Sequence, residues 1–419
     1  MLSNDQQMAQ KKILKFMRDP DAISMILSGH SGSGKSYLTS ELTKAIQAQI
    51  KVIKLIKPNH KGDINIYYTA TTHQAAKVLS NVVGEQAGTI HSLLGLKLQK
   101  DFKTGNEYLV KSKNTSVIEN SLIIIDEASM VDLQLKKLID ELTLKCKVLY
   151  IGDPYQLLPV KSKDSPVFDY KLPEATLTSI QRQHQDSPII GLGAKLRETV
   201  KGDEFPNMVH NCDGLTSLNG PEFQKTLDQA FLNNRNDPYA VKFLAWENSR
   251  VREINKYVHK LLTNKEGFAI NEYVINNKPI IIRDNIIFNT DSVLQITNIK
   301  PVTHTIYDLD GWDLELNNSI NVFLPEHQYQ AKHIIKQYAK QKRWKEYFKA
   351  RDTLTDLRPV YASTVHKSQG STYGAVFLDL ENIGKCHQRE AVARMLYVAV
   401  TRAKEQIFFY GELPAKYRP

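Results

Sequence analysis

Cysteine is scarce in this chain, and long apolar runs are missing from it. Cys146, Cys212 and Cys386 are its three cysteines in 419 residues, far apart and without metal-ligand spacing. Reduced thiols in an intracellular protein are therefore expected, and none has the setting of a catalytic residue. No stretch of 18 apolar residues free of charge occurs and residues 1–12 are polar, so neither a membrane span nor a secretory signal is expected. Acids are in deficit too, with 45 Asp and Glu against 55 Lys and Arg and a net charge of +10. That balance suits a polyanionic partner but is shared by basic proteins that bind none. Apolar residues still make up 42% of the chain, enough for sizeable cores, and its length suits roughly two to four domains.

What is present is organised around Gly29-His30-Ser31-Gly32-Ser33-Gly34-Lys35-Ser36. The glycines let backbone N–H groups close around a polyphosphate, Lys35 reaches the β- and γ-phosphates, and the Ser36 hydroxyl suits Mg²⁺. The apolar run 22–27 ahead of the loop reads as a buried parallel strand. Leu38, Leu42, Ala45, Ile46 and Ile50 behind it recur at helical spacing. Strand, loop and helix N-terminus together predict binding of a nucleoside triphosphate.

Other candidates follow in chain order. Gln6 suits either an adenine edge or a polar helix cap. Thr72 with His73, and the Thr89-Ile90-His91-Ser92 cluster, offer phosphate donors or plain caps. Residues 94–98 and 107–110 flank a Gly-containing turn and predict a hairpin with Phe102 at its tip. There Phe102 either stacks on the last base pair of a duplex fork or packs to steady the hairpin. Leu122-Ile123-Ile124-Ile125 ends in Asp126 and Glu127, placed to hold Mg²⁺ and to deprotonate an attacking water respectively. Gln156, in Gly152-Asp153-Pro154-Tyr155-Gln156, is a candidate γ-phosphate sensor. Arg182 suits an arginine finger or a surface ion pair.

Residues 183–238 read as connecting helices and loops. A second α/β pattern then begins at 241 and resumes at 360, so 268–357 reads as an insertion. Its short β-rich runs predict a small barrel, with Asp310-Gly311 as a hairpin turn. Its end, 332–351, interleaves Lys and Arg with Tyr338, Trp344, Tyr347 and Phe348; such a helix either grips a single strand or packs its aromatic face on the barrel.

The order of these motifs resembles superfamily 1 helicases, and within them the RecD-like and Dda-type 5′-to-3′ branch of tailed phages, over residues 2–409. The resemblance implies an α/β fold of two RecA-like motor domains with parallel sheets, at 1–92 plus 116–182 and at 183–267 plus 358–419. A strand-separating pin at 93–115 and an SH3-like insertion with a helical tower at 268–357 complete it. It assigns Gln6 to the adenine-reading Q motif and Lys35, Ser36, Asp126 and Glu127 to the Walker motifs. Gln156 falls in motif III, Arg182 in motif IV, Arg402 at the motif VI finger, and Gly370 beside the γ-phosphate. On the DNA side it implies Thr72, His73, His91, Asn248, Thr364 and His366. The implied activity is ATP- and Mg²⁺-dependent unwinding during translocation on single-stranded DNA, in replication, recombination or repair. Implied partners are single-stranded and forked DNA with single-strand-binding or replisome proteins, met by a cytoplasmic monomer. An RNA-directed helicase and a non-catalytic nucleotide-switched adaptor are the competing expectations.

Overall fold

A computed structural model describes residues 2–56, 65–100, 107–113, 115–159, 165–169, 171–179, 187–265, 267–282 and 285–419. Its first sheet has the strand order Glu174–Leu177, Ser24–Gly29, Lys147–Gly152, Ser121–Asp126, Asn65–Ala70 and Ala87–Thr89, every neighbour parallel. The run Leu122-Ile123-Ile124-Ile125 sits mid-sheet because it has an apolar side chain for each face. Leu122 and Ile124 join a core under helices Asn4–Arg18 and Lys35–Ile56, while Ile123 and Ile125 join one under Leu133–Leu142. Helix Asn4–Arg18 starts with a capping box: Ser3 N–H donates to Gln6 Oε1 (3.0 Å) and Gln6 N–H to Ser3 Oγ (3.4 Å). Between the helix Ile90–Leu93 and the central strand Ser121–Asp126, strands Leu96–Lys100 and Glu107–Lys111 pair as a hairpin. It is tied to the body by Gln134, which bonds both N–H and C=O of Leu109, and by Lys111 with Glu141.

The second sheet runs Asn211–Cys212, Leu215–Leu218, Ala403–Tyr410, Tyr373–Asp379, Val241–Ala245 and Ala362–Thr364, parallel apart from its first pair. Helix Arg389–Arg402 is buried along most of its length, packed against helix Pro188–Lys201. It is apolar almost all round, which is why it lies inside rather than on the surface.

After helix Asn248–Thr263 the chain leaves this sheet and forms a five-stranded antiparallel one, ordered Ile320–Pro325, Leu309–Leu316, Val293–His304, Tyr273–Asn276 and Leu357–Pro359. A bridge between Phe323 and Leu354, with Thr355 N–H donating to Phe323 O (3.2 Å), draws its two edges together as in a small barrel. In chain order, helices Gln328–Lys340 and Trp344–Thr353 come between strands Ile320–Pro325 and Leu357–Pro359. The turn expected at Asp310-Gly311 lies instead at 305–308, with Asp308 in the left-handed region (φ 47°). Gly311 is within a strand, where a Cβ would stand 2.3 Å from Leu324 O and 2.8 Å from the Phe323 ring. Close packing, not turn formation, requires glycine there.

One buried pair fixes this sheet to helix Asn248–Thr263. His259 Nδ1 lies 2.7 Å from Glu272 Oε1 and its Nε2 lies 3.0 Å from Gly267 O, so both ring nitrogens face acceptors. Only the imidazolium donates to both. The Glu272 hydrogen bond accordingly raises the His259 pKa above its ordinary 6.5. Because the folded pKa is the higher one, this stabilisation is complete below pH 6.5 and is lost as pH rises through the raised value. Thermal melting should therefore show a fall in stability over that interval, and Glu272→Gln should flatten it; an equal slope in both proteins would contradict the pairing.

Candidate nucleotide and nucleic-acid site

The loop 29–36 leaves the carboxyl edge of strand Ser24–Gly29, where ligands of parallel sheets collect. Gly32 (φ 83°) and Gly34 (φ 81°) adopt left-handed backbone that lets the loop fold over itself. Gly29 admits no side chain, since a Cβ would meet Ser33 Oγ at 2.7 Å. The Lys35 ammonium donates to the carbonyls of Gly29 (2.8 Å) and His30 (2.9 Å). Burial and the nearby Arg197 push the His30 imidazole down, so it adds no charge to the loop at neutral pH. Gln6 is buried beside the loop with its amide spent twice: Oε1 closes the helix cap and Nε2 donates to Ser33 O (3.3 Å).

A cleft of about 380 Å³ opens here, bordered by Ser31, Gly32, Gly34, Lys35 and Ser36, by Asp126, Glu127 and Gln156, and by Gly370 and Arg402 from beyond the second sheet. Burial and then the adjacent Glu127 carboxylate push Asp126 up to about 7, with Lys35 pulling it back. Such a carboxylate pair calls for a cation. Glu127 itself holds a left-handed backbone (φ 52°, ψ 44°), a strain of about 1–3 kcal/mol for a non-glycine residue. Its N–H donates to Asp126 Oδ1 (2.8 Å) and its carbonyl accepts from Thr71 Oγ1 (3.1 Å), which hold it there. The donor set suits a Mg-polyphosphate. Ser36 and Asp126 offer hard oxygen donors, Lys35 and Arg402 are cations, and Ser33 Oγ is buried without a partner among the described residues.

The second sheet's residues reach across. Arg402, 1% exposed, donates to Ser31 Oγ (2.8 Å) and to Ser371 O (3.1 Å). Gln369, which the sequence did not single out, donates its amide toward Glu127 Oε2 (3.3 Å), Gln156 Oε1 (3.2 Å) and Ser129 Oγ (3.4 Å). Tyr397 was also missed: its hydroxyl donates to Asp153 Oδ2 (2.5 Å) and accepts from Ser31 N–H (3.3 Å). Asp153 in turn sits 3.7 Å from Arg197, whose guanidinium stacks 4.4 Å over the Tyr155 ring. Arg394 donates to the carbonyls of Pro154 (2.7 Å) and Gln156 (2.6 Å). The available signal was Arg394, Tyr397, Thr401 and Arg402 recurring at helical spacing in a helix that is apolar elsewhere after its first turn.

A second cleft, about 210 Å³, gathers Thr72 from the first sheet with Asn248, Thr364 and His366 from the second. Thr72 Oγ1 also caps helix His73–Val83 by accepting from Ala75 N–H (3.2 Å). His73 begins that helix, close enough to feel Asp291 on the cleft wall, and His91 lies beside His73 rather than on that wall. Burial pushes all three imidazoles, His73, His91 and His366, below their ordinary value. Gln369 and Ser371 border this cleft while Gly370 between them borders the first. Arg182 and Phe102 lie outside the described residues.

Comparison with known proteins agrees with this geometry. Residues 10–162 match the AAA domain family model and residues 359–410 the UvrD-like helicase C-terminal domain. The ATP-dependent DNA helicase dda of Enterobacteria phage T4 is 24% identical, covering 97% of this chain and 99% of its own. The ATP-dependent DNA helicase Pif1 of Campylobacter jejuni is 25% identical over 91% of this chain and 86% of its own. Among solved structures, a Bacteroides Pif1 helicase in complex with ADP-AlF3 and single-stranded DNA shares the fold at TM-score 0.54 and 16% identity, over 100% of this chain and 94% of that one. With two parallel-sheet halves meeting over one phosphate loop, the chain is similar over nearly its whole length to these Dda- and Pif1-type DNA helicases.

Proposed function

We propose that this protein is an ATP-dependent DNA helicase that translocates 5′ to 3′ on single-stranded DNA and unwinds duplexes at forks, in replication, recombination or repair. The supporting observation is the turn Gln369-Gly370-Ser371, whose residues alternate between the nucleotide cleft and the cleft proposed for the strand. A change at one cleft has a direct path to the other.

In this reading Lys35 and the loop N–H groups hold the polyphosphate of ATP, and Gln6 stands next to the base. Ser36 and Asp126 are the ligands for Mg²⁺, which when bound draws charge from the β- and γ-phosphate oxygens. Glu127 takes the proton of the attacking water, Gln156 orients that water, and Arg402 meets the charge that develops on the γ-phosphate. Arg182 is the proposed second arginine and Phe102 the proposed fork aromatic. ATP draws the halves together through Arg402 and Gln369. Hydrolysis releases them, and alternating grip by Thr72, His73 and His91 on one side and Asn248, Thr364 and His366 on the other moves the strand. Phosphate contacts dominate such a groove, so binding is sequence-independent and salt-sensitive. No helix among the described residues is long and apolar enough to cross a membrane, and a monomer acting in the cytoplasm fits the proposed role.

Glu127→Gln should retain ATP and single-strand affinity while turnover falls about 10²–10⁴-fold, the usual worth of a general base; near-normal steady-state turnover would remove Glu127 from that role. Arg402→Ala should cut DNA-stimulated hydrolysis by about 10³-fold or more and leave nucleotide-free DNA binding intact. If DNA affinity fell and turnover did not, the arginine would belong to the strand cleft. Gln369→Ala should weaken the stimulation of hydrolysis by DNA far more than hydrolysis without DNA, and equal losses in the two assays would argue against coupling through this turn.

A further inference from the structure

The helical hairpin of the insertion has two unlike faces. Its inner one, Ala331, Ile334, Ile335, Tyr338, Ala350 and Leu354, packs on Tyr307, Leu309 and Phe323. On the outer one Trp344 and Phe348 remain 49% and 48% exposed. Tyr347 joins them into one aromatic group, edge-on to Trp344 at 5.7 Å and to Phe348 at 5.1 Å. The Arg351 guanidinium stands 4.9 Å from the Phe348 ring. Eight Lys and Arg against two acids lie between residues 328 and 353. Those acids, Glu346 and Asp352, pair with Arg343 and Arg351, while among the described residues exposed Lys336, Lys340, Lys345 and Lys349 make no ion pair. Packing on the barrel therefore accounts for Tyr338 but not for Trp344 or Phe348.

This face is continuous with the strand cleft. Asn277 and Arg358 border that cleft, each bonded to Asp356. Burial pushes down the ammonium pKa of the next residue, half-buried Lys278, opposed by Asp356 and assisted by the nearby charges of Lys332 and Arg351. From the cleft, then, cations lead through Lys278 to Lys332 and Arg351 and on to the rings of Phe348, Tyr347 and Trp344.

We infer that the outer face of the helical hairpin is a second single-strand-binding surface, extending the strand cleft, on which bases stack against Phe348, Tyr347 and Trp344 while Lys332, Lys345, Lys349 and Arg351 take the phosphates. Exposed rings among cations favour unpaired bases, because a duplex presents no free base face for stacking. The inference rests on the proposed single-strand role of the cleft.

The test measures affinity for oligo-dT of increasing length, in the parent and in a Trp344→Ala, Phe348→Ala double variant whose replaced side chains are half exposed. Circular dichroism melting confirms that both are folded. In the parent, affinity should keep rising beyond the shortest oligonucleotide that saturates ATPase stimulation. The double variant should match the parent at that length and be about tenfold or more weaker on long strands. Lys345→Gln with Lys349→Gln should make the salt dependence shallower on long strands only, by about 0.7 in log–log slope per lost phosphate contact. Equal affinities of parent and variant at every length would overturn the inference and leave the motor reading standing. So would equal weakening at every length, or a loss confined to duplex DNA. A parent that binds no single strand at all would overturn both.

Discussion

Everything distinctive about this molecule depends on one buried meeting of polar groups between two hydrophobic halves. Arg402, Gln369 and Tyr397 cross from the second sheet to Ser31, Glu127 and Asp153 of the first. Buried charges and hydroxyls left without partners are costly, whereas paired ones fix a single geometry. The interface is therefore selective. It holds together when its partners are aligned and is destabilised when alignment fails, the property that the proposed opening and closing of this contact requires.

The first half supplies strain and unbalanced charge, and the second half answers them. Glu127 is held in a left-handed backbone by Asp126 and Thr71, so its carboxylate points at the cleft rather than back along the strand. Asp126 is pushed up toward neutral pH by burial and by Glu127, a pair suited to a divalent cation and a polyphosphate. On the other side of the same turn lies the cleft proposed for the strand. Since Gln369 and Ser371 border it while Gly370 borders the phosphate-loop cleft, the proposed ATP and DNA sites need no long relay between them.

What was legible in the sequence was what lies close in sequence. The phosphate loop declared itself because eight consecutive residues carry its chemistry, and Asp126 and Glu127 because they end an apolar strand. The α/β pattern of each half and the insertion at 268–357 were read from periodicity, and the two parallel sheets from the resemblance. Tyr397 and Gln369 did not, because their partners lie more than 200 residues away; only the helical recurrence of Tyr397 with Arg394, Thr401 and Arg402 marks either. Arg402 was found only through the resemblance to a helicase motif. Asp310-Gly311 misled because Asp-Gly favours turns locally, while the Phe323 ring and the Leu324 carbonyl impose the glycine from outside the segment. For the aromatic helix, spacing gave the face but not whether that face would be covered.

The central claim is that the nucleotide holds the two halves together through this interface. Spin labels at exposed Lys77, on the first half, and exposed Lys404, on the second, would report their separation by pulsed dipolar spectroscopy. The account predicts a short, narrow distance distribution with a non-hydrolysable ATP analogue and a longer, broader one with ADP, the contrast vanishing in Arg402→Ala. Identical distributions in both nucleotide states, in labelled protein that still hydrolyses ATP when DNA is added, would contradict it.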